Sequence, residues 1–258
     1  MSGLAVSARL RIVELVRQPL TLLMLLLLPP VVIETYGTAV ASFPQLPTVG
    51  TDPATVGRMT GTLFAVAFLA GLVGLFQVLS ARKGDERAAV AGLSRHTLLG
   101  SRILTMVLVA VVGAAVAFGV FSLRVDVAAP GIGFAALVAA GLVYGLLGVL
   151  IGTLVPRELE GSILLVFVAD LDNALSSGLF PLTTTVSLPV LGDVHATDVV
   201  PLYHPHELFA AAVLDGELAV DHLLPILGWV SGLLVLAFAA YGRSTGGWSL
   251  ARLRRRFA

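Results

Sequence analysis

The side chains of greatest chemical interest in this sequence are polar groups inside long apolar segments. Asp170, Asp172 and Asn173 interrupt the apolar run 162–180, and Glu34 lies in the first such run. An ionisable side chain within a membrane segment is costly to bury and commonly marks a substrate or ion path. Asp170 lies about 13 Å into its segment at about 1.5 Å per helical residue, near the middle of an apolar layer about 30 Å thick. These four residues are therefore candidates for the lining of a translocation path.

The two aspartates cannot both face one cavity on an unbroken helix, because positions 170 and 172 are about 200° apart around the helix axis. The same geometry places Asn173 on the side of Asp170. Hydrogen bonding between helices is the structural alternative for all three side chains, as is an outer half-helix already in water. Glu34 is shallower, which favours an interfacial or packing role for it.

Several kinds of chemistry are excluded within the chain. Lys83 is the only lysine and follows Arg82, so no phosphate-binding loop ending in Gly-Lys-Ser/Thr is present. The sequence also lacks cysteine, a Gly-x-Ser-x-Gly elbow and a His-Glu-x-x-His helix. His204, His206 and Glu207 form a weak metal motif, since two histidines flanking a proline are poor helical ligands. We expect no catalytic, cofactor-binding or metal-binding residue, and no enzymatic activity, in this chain.

The composition places the chain in a lipid bilayer. Of its 258 residues, 57% are hydrophobic and only 12% are charged, whereas a soluble domain carries about 25% charged residues. This excludes an ordinary soluble enzyme and a nucleic-acid-binding protein. We expect one all-α transmembrane domain over residues 1–258. A spanning helix needs about 20 mostly apolar residues, and six segments are candidates: 20–40, 61–80, 103–123, 134–155, 162–180 and 223–241.

The basic residues indicate that the Asp-bearing segment also crosses the membrane. With six crossings, every basic residue except Arg58 and Arg124 lies on one side, including the cluster at 252–256. Cytoplasmic loops carry the excess of arginine and lysine, so we expect both termini in the cytoplasm of a cell-membrane protein. Residues 81–102 then form a cytoplasmic loop containing a short helix, and residues 181–222 form an outer loop with a short helix before the last span.

Two further patterns concern helix packing and the membrane surface. Gly141, Gly145, Gly148 and Gly152 recur at 4-3-4 spacing and lie on one stripe, which favours close packing against another helix. Residues 4–18 predict an amphipathic helix in the cytoplasmic interface, and a simple extension of the first span is the alternative.

Short motifs follow one another in a defined order along the chain. They are the basic segment before Gln18-Pro19-Leu20, the Pro29-Pro30 break, the runs 81–87, 93–95 and 98–102, the element Ser177-Gly178-Leu179-Phe180-Pro181, and the outer segment 201–216. In this order, within a six-span frame, the chain resembles the membrane subunit, or permease, of the type-2 ABC transporter family. The resemblance extends over nearly the whole chain.

The resemblance implies a permease of an ATP-driven exporter that forms a dimer with a second permease copy, identical or not. It also implies two cytoplasmic ATPase partners that hold the ATP and magnesium. By the same resemblance, Asp85, Glu86, Arg87 and Arg95 are expected to contact the ATPase. Substrate is expected to pass near the dimer axis, between the first, second and fifth spans.

Two other functions remain open from the sequence. An ion-coupled secondary transporter would use Asp170 and Asp172 as proton or cation ligands. A membrane scaffold or sensor would use the acidic outer loop. The polar stretch 171–173 departs from the more apolar fifth span of the family, and this departure favours a more polar path or a locally unwound helix.

Overall fold

The structure, a computed structural model, describes residues 19–43, 51–178, 185–188 and 192–256, together with Val13 and Arg17. The predicted interfacial helix at 4–18 lies outside the described residues apart from those two positions. The described residues form eight α-helices: α1 Pro19–Ala41, α2 Pro53–Leu79, α3 Arg82–Val90, α4 Arg95–Ser122, α5 Pro130–Leu154, α6 Glu158–Ser176, α7 Tyr203–Leu214 and α8 Leu223–Arg256.

The predicted all-helical class is confirmed, with one small addition in the outer loop. Strands β1 Thr185–Leu188 and β2 Gly192–His195 form a two-stranded antiparallel hairpin. Thr185 pairs with His195 and Leu188 pairs with Gly192. The hydropathy pattern gave no indication of this hairpin.

Five helices are long and apolar enough to cross a membrane among the described residues, namely α1, α2, α4, α5 and α8. Each corresponds to a predicted span. The remaining predicted span, 162–180, forms helix α6, but the four acidic residues of this helix keep it out of this set on composition.

Two of the helices begin well before the predicted apolar segments, because polar caps start them outside the apolar region. The Asp52 carboxylate accepts a hydrogen bond of 3.1 Å from the Thr55 N–H at the start of α2. The predicted cap at Ser94 is confirmed, since its hydroxyl accepts a 3.1 Å bond from the Thr97 N–H at the start of α4. Such caps satisfy backbone N–H groups that have no partner within the helix. In α1, by contrast, the helix continues through Pro29-Pro30 without the expected interruption.

Backbone contact between α2 and α5 forms the centre of the bundle. A Cβ atom placed on Gly148 would overlap the carbonyl oxygen of Gly71, and one placed on Gly74 would overlap the carbonyl oxygen of Gly145. Each helix therefore needs glycine where the other's backbone approaches it. This is the close approach that small residues allow in membrane helices.

The other two glycines of the stripe also lie in helix contacts. A Cβ on Gly141 would come within 2.9 Å of the Ala110 Cβ in α4, and a Cβ on Gly152 would come within 2.8 Å of the Leu75 carbonyl oxygen in α2. The stripe of α5 therefore faces both α2 and α4.

Helix α6 lies antiparallel along α2. Near its start, Gly161 lies against Leu79 at the end of α2. Near its end, Asn173 donates a hydrogen bond to the hydroxyl of Tyr36, which lies against Gly61 in the first half of α2. The helix thus extends along most of the length of α2.

Helix α7, which the sequence predicts near the outer surface, is more deeply packed than a surface amphipathic helix would be. Phe209 is fully buried, and its ring lies 5.3 Å from that of Phe121 at the end of α4. The Ala129 N–H donates a 2.9 Å hydrogen bond to the Ala212 carbonyl oxygen, which attaches α7 to the start of α5. Helix α7 is therefore part of the helix bundle.

Candidate functional site

Asp170 and Asp172 lie on opposite faces of α6, as the helical geometry predicts. Asp170 is exposed, whereas Asp172 is only 4% exposed. The face that contains Asp172 packs into the bundle. The face that contains Asp170 is open, so the two carboxylates have different environments and cannot serve one cavity together.

Asp172 is the centre of a buried hydrogen-bond cluster. Its carboxylate accepts bonds from the Tyr144 hydroxyl, from the Ser176 hydroxyl at 3.0 Å and from the Leu202 backbone N–H at 3.1 Å. These donors belong to α5, to α6 and to the chain just before α7. Because a buried carboxylate needs such partners, Asp172 holds the start of α7 against the bundle. It fits the structural alternative rather than the lining of a path.

Asn173 also faces inward. It is 2% exposed, and its side-chain amide donates a 3.2 Å hydrogen bond to the Tyr36 hydroxyl in α1. Around the helix axis it lies about 60° from Asp170, as predicted, but it is buried whereas Asp170 is exposed. It lies between the two faces of α6, and its contact with Tyr36 in α1 accounts for its burial.

Glu34 forms ion pairs at the end of the bundle opposite α3. Its carboxylate lies 2.9 Å from the Arg124 Nε and 3.5 Å from an Arg58 Nη atom. These are the two basic residues that the charge distribution placed on the outer side. The carboxylate therefore joins α1, α2 and the segment after α4, so we assign it to helix packing rather than to a path.

Asp85, one of the expected ATPase contacts, points into the bundle. It is only 2% exposed. The buried guanidinium of Arg102 donates to both of its carboxylate oxygens, from Nε to Oδ2 at 3.0 Å and from Nη2 to Oδ1. The Tyr241 hydroxyl in α8 donates to the same carboxylate, and Arg102 also donates to the Gln77 carbonyl oxygen at the end of α2. Asp85 is thus shielded from any partner, which corrects the expectation for this residue.

The other expected contacts lie in more accessible places. Arg87 is exposed on α3, while the side chain of Glu86 lies outside the described residues. Arg95 is half-buried and donates a 3.2 Å bond to the Gly242 carbonyl oxygen in α8. Arg82, at the start of α3, donates to the carbonyl oxygens of residues 152, 153 and 155 at the end of α5. Helix α3 is therefore fixed to the bundle at its start and at its middle.

Sequence reasoning missed Arg102, Tyr144 and Tyr241 as partners of the acidic residues. Arg102 was counted only as a cytoplasmic charge, although it precedes the apolar run of α4 directly and is 1% exposed. Tyr144 and Tyr241 are the only tyrosines within their apolar segments. A tyrosine in such a segment needs a partner for its hydroxyl, and this signal could have identified both.

Two histidines of the segment 203–222 contact each other. The Nδ1 atoms of His204 and His222 are 3.0 Å apart, and the Nε2 of His204 lies 3.0 Å from the Asp198 carbonyl oxygen. Burial lowers the pKa of His204, because it disfavours the protonated ring. Within the described ranges, no group of three or more acidic or histidine side chains is arranged to hold a metal ion.

Asp170 is the one predicted path residue that faces open space. It borders a groove of about 590 Å³ on the outside of α6, lined by Ser162, Ile163, Val166, Phe167, Asp170 and Leu171. Apart from Ser162 and Asp170, these lining side chains are apolar. The arrangement can bind an apolar group and place one carboxylate against it.

Comparison with known proteins gives one finding for this chain. The model of a family described as ABC-2 family transporter protein matches residues 22–242, which is all but the two ends of the sequence. No curated protein matches the chain.

Proposed function

The chain belongs to the ABC-2 family of transporter membrane proteins, and from that premise we propose that it is the permease subunit of an ATP-driven exporter. The family match over residues 22–242 is the observation that carries the proposal. The absence of a phosphate-binding loop in the sequence supports it, since ATP and magnesium then belong to a separate ATPase chain. A second permease copy completes the transporter.

We propose that α6 is a sixth membrane crossing and that both termini are cytoplasmic. The antiparallel run of α6 along α2, from Leu79 to the level of Tyr36, supports this. With α6 crossing, Arg58 and Arg124 are the only basic residues outside, and both pair with Glu34. These two arginines depart from the positive-inside pattern, and their ion pairs with Glu34 explain why they are tolerated on the outer side.

Cysteine labelling tests this topology, because the natural chain contains no cysteine. Glu158→Cys lies at the start of α6 and Glu217→Cys lies between α7 and α8, and both positions are exposed. In intact cells, a membrane-impermeant maleimide should label Glu217→Cys and should reach Glu158→Cys only after permeabilisation. Equal labelling of the two positions from one side would exclude the crossing by α6.

We further propose that the ATPase docks on the exposed side of α3 and the turn that follows it. The buried pair of Asp85 and Arg102, the contact from Tyr241 and the bonds of Arg82 anchor this helix to α2, α4, α5 and α8. A push on α3 would therefore be transmitted to four helices. Exposed Arg87 is the contact residue that the structure leaves available on the described surface of α3.

Co-purification tests the ATPase partnership. The tagged chain should recover a separate P-loop ATPase, and the recovered complex should hydrolyse ATP while the isolated chain does not. Arg87→Glu should lower the amount of recovered ATPase at least about fivefold. The substitution replaces the positive charge of the proposed contact with a negative charge, which the surface of the partner does not match. The matched reversal Glu217→Lys, on the proposed outer side, should leave recovery unchanged.

Two results would contradict this assignment. Transport by the isolated chain in liposomes without nucleotide, abolished when an ion gradient is dissipated, would favour the ion-coupled alternative. Unchanged ATPase recovery with Arg87→Glu would place the docking surface elsewhere.

A further inference from the structure

The open face of α6 combines a strongly apolar surface with a single carboxylate. Leu159, Ile163, Phe167 and Leu171 are each at least half exposed along this face, and Asp170 lies among them. Asp170 forms no hydrogen bond or ion pair with any described residue, in contrast to Asp172 with its three donors. With α6 crossing the membrane, an uncompensated carboxylate on this face is unfavourable, and a partner that supplies positive charge would remove that cost.

A second copy of the chain can cover the apolar surface but cannot supply that charge from the helices nearest the groove. In a twofold contact, the same patch of each copy faces the other. Neither the sequence of α6 nor that of α1 contains a basic residue. Arg58 of α2 is already paired with Glu34. A dimer formed through this face would therefore bring two carboxylates near one axis without a cation between them.

We infer that the cargo is an amphipathic organic cation, with its apolar body in the groove of α6 and its positive group against Asp170. This inference rests on the proposed function, because it assigns the missing counter-charge to the transported compound. Phe167 and Asp170 are three residues apart and thus lie on one side of the helix. The ring face of Phe167 attracts cations as well, so both side chains favour the same group. The groove of about 590 Å³ is lined by α6 residues and is open on its other side.

Binding measurements with two ions of the same shape test the inference. The full chain, with any ATPase that co-purifies, is placed in nanodiscs of zwitterionic lipid. It is titrated with the cation tetraphenylphosphonium or the anion tetraphenylborate, and the measured quantity is the saturable binding in excess of that to empty nanodiscs. Asp170→Asn should weaken binding of the cation by about tenfold, equivalent to about 1.4 kcal/mol, and should not weaken binding of the anion. Asp170→Glu, which retains the charge, should bind the cation within about twofold of the natural chain.

Glu158→Gln is the matched control, because it removes an exposed carboxylate from the same helix outside the groove. It should leave binding of both ions unchanged. Cation binding that is absent in the natural chain, or equal in Asp170→Asn, would overturn the inference. If an active ATPase is recovered and either of these binding results is obtained, the cation cargo alone is refuted. If no ATPase is recovered, the proposed function is refuted, whether or not the two ions bind.

Discussion

Replacing Gly148 with alanine will destabilise the protein by about 3 kcal/mol, at the upper end of the usual cost of overpacking. The added methyl group would overlap the backbone carbonyl of Gly71. Backbone cannot move aside by changing a rotamer, so α2 and α5 must separate, which also loosens the reciprocal contact of Gly74 with Gly145. Thermal unfolding of the purified chain, followed by circular dichroism, should show Tm lower by about 6–12 °C.

The same substitution at Gly119 provides the control. Gly119 lies in α4, and a Cβ there would have no neighbour within 4 Å. Alanine is the better helix former by about 0.5–1 kcal/mol, so Gly119→Ala should leave Tm unchanged or raise it slightly. Equal Tm values for the two variants would show that the contact between α2 and α5 does not limit stability.

The positions of the helices could be predicted from the sequence, but the direction in which every polar side chain points could not. Apolar length identified the five apolar spans and the position of α6, and the 4-3-4 spacing identified the stripe of α5 that faces α2 and α4. Both patterns can be recognised within a single segment of sequence, without knowledge of the residues that pack against it. The hairpin of β1 and β2 contains no such periodic signal and was missed.

The acidic residues were harder to interpret because their roles depend on partners distant in sequence. Periodicity separated Asp170 from Asp172 correctly, but it could not identify Leu202 or Tyr144 as the donors that make Asp172 a packing residue. The motif that suggested an ATPase contact at Asp85 gave no indication that Arg102 would draw it inward. Charge and spacing therefore locate candidate residues, whereas tertiary contacts decide which of them remain available to a ligand or partner.

Asp85 and Arg102 should show strong coupling in a double-mutant cycle. Asp85→Leu leaves the guanidinium of Arg102 buried without its carboxylate, and Arg102→Met leaves the carboxylate of Asp85 buried without its guanidinium. Breaking a buried ion pair in this way costs about 3–5 kcal/mol for each single variant. The double variant removes both charges but takes partners from the Tyr241 hydroxyl and the Gln77 carbonyl oxygen. It should therefore cost about 1–3 kcal/mol, well below the sum of the two single variants, because it leaves no unpaired buried charge.

The exposed pair of Arg157 and Glu160 is the matched control, because its atoms are 3.4 Å apart but its side chains are 80% and 47% exposed. Arg157→Met and Glu160→Leu should each change stability by less than about 1 kcal/mol, with little coupling between them. If the Asp85–Arg102 double variant were as unstable as the two singles added together, the two side chains would act independently. That result would remove the ion pair as the anchor of α3, and with it the route by which a push on α3 reaches α2, α4 and α8.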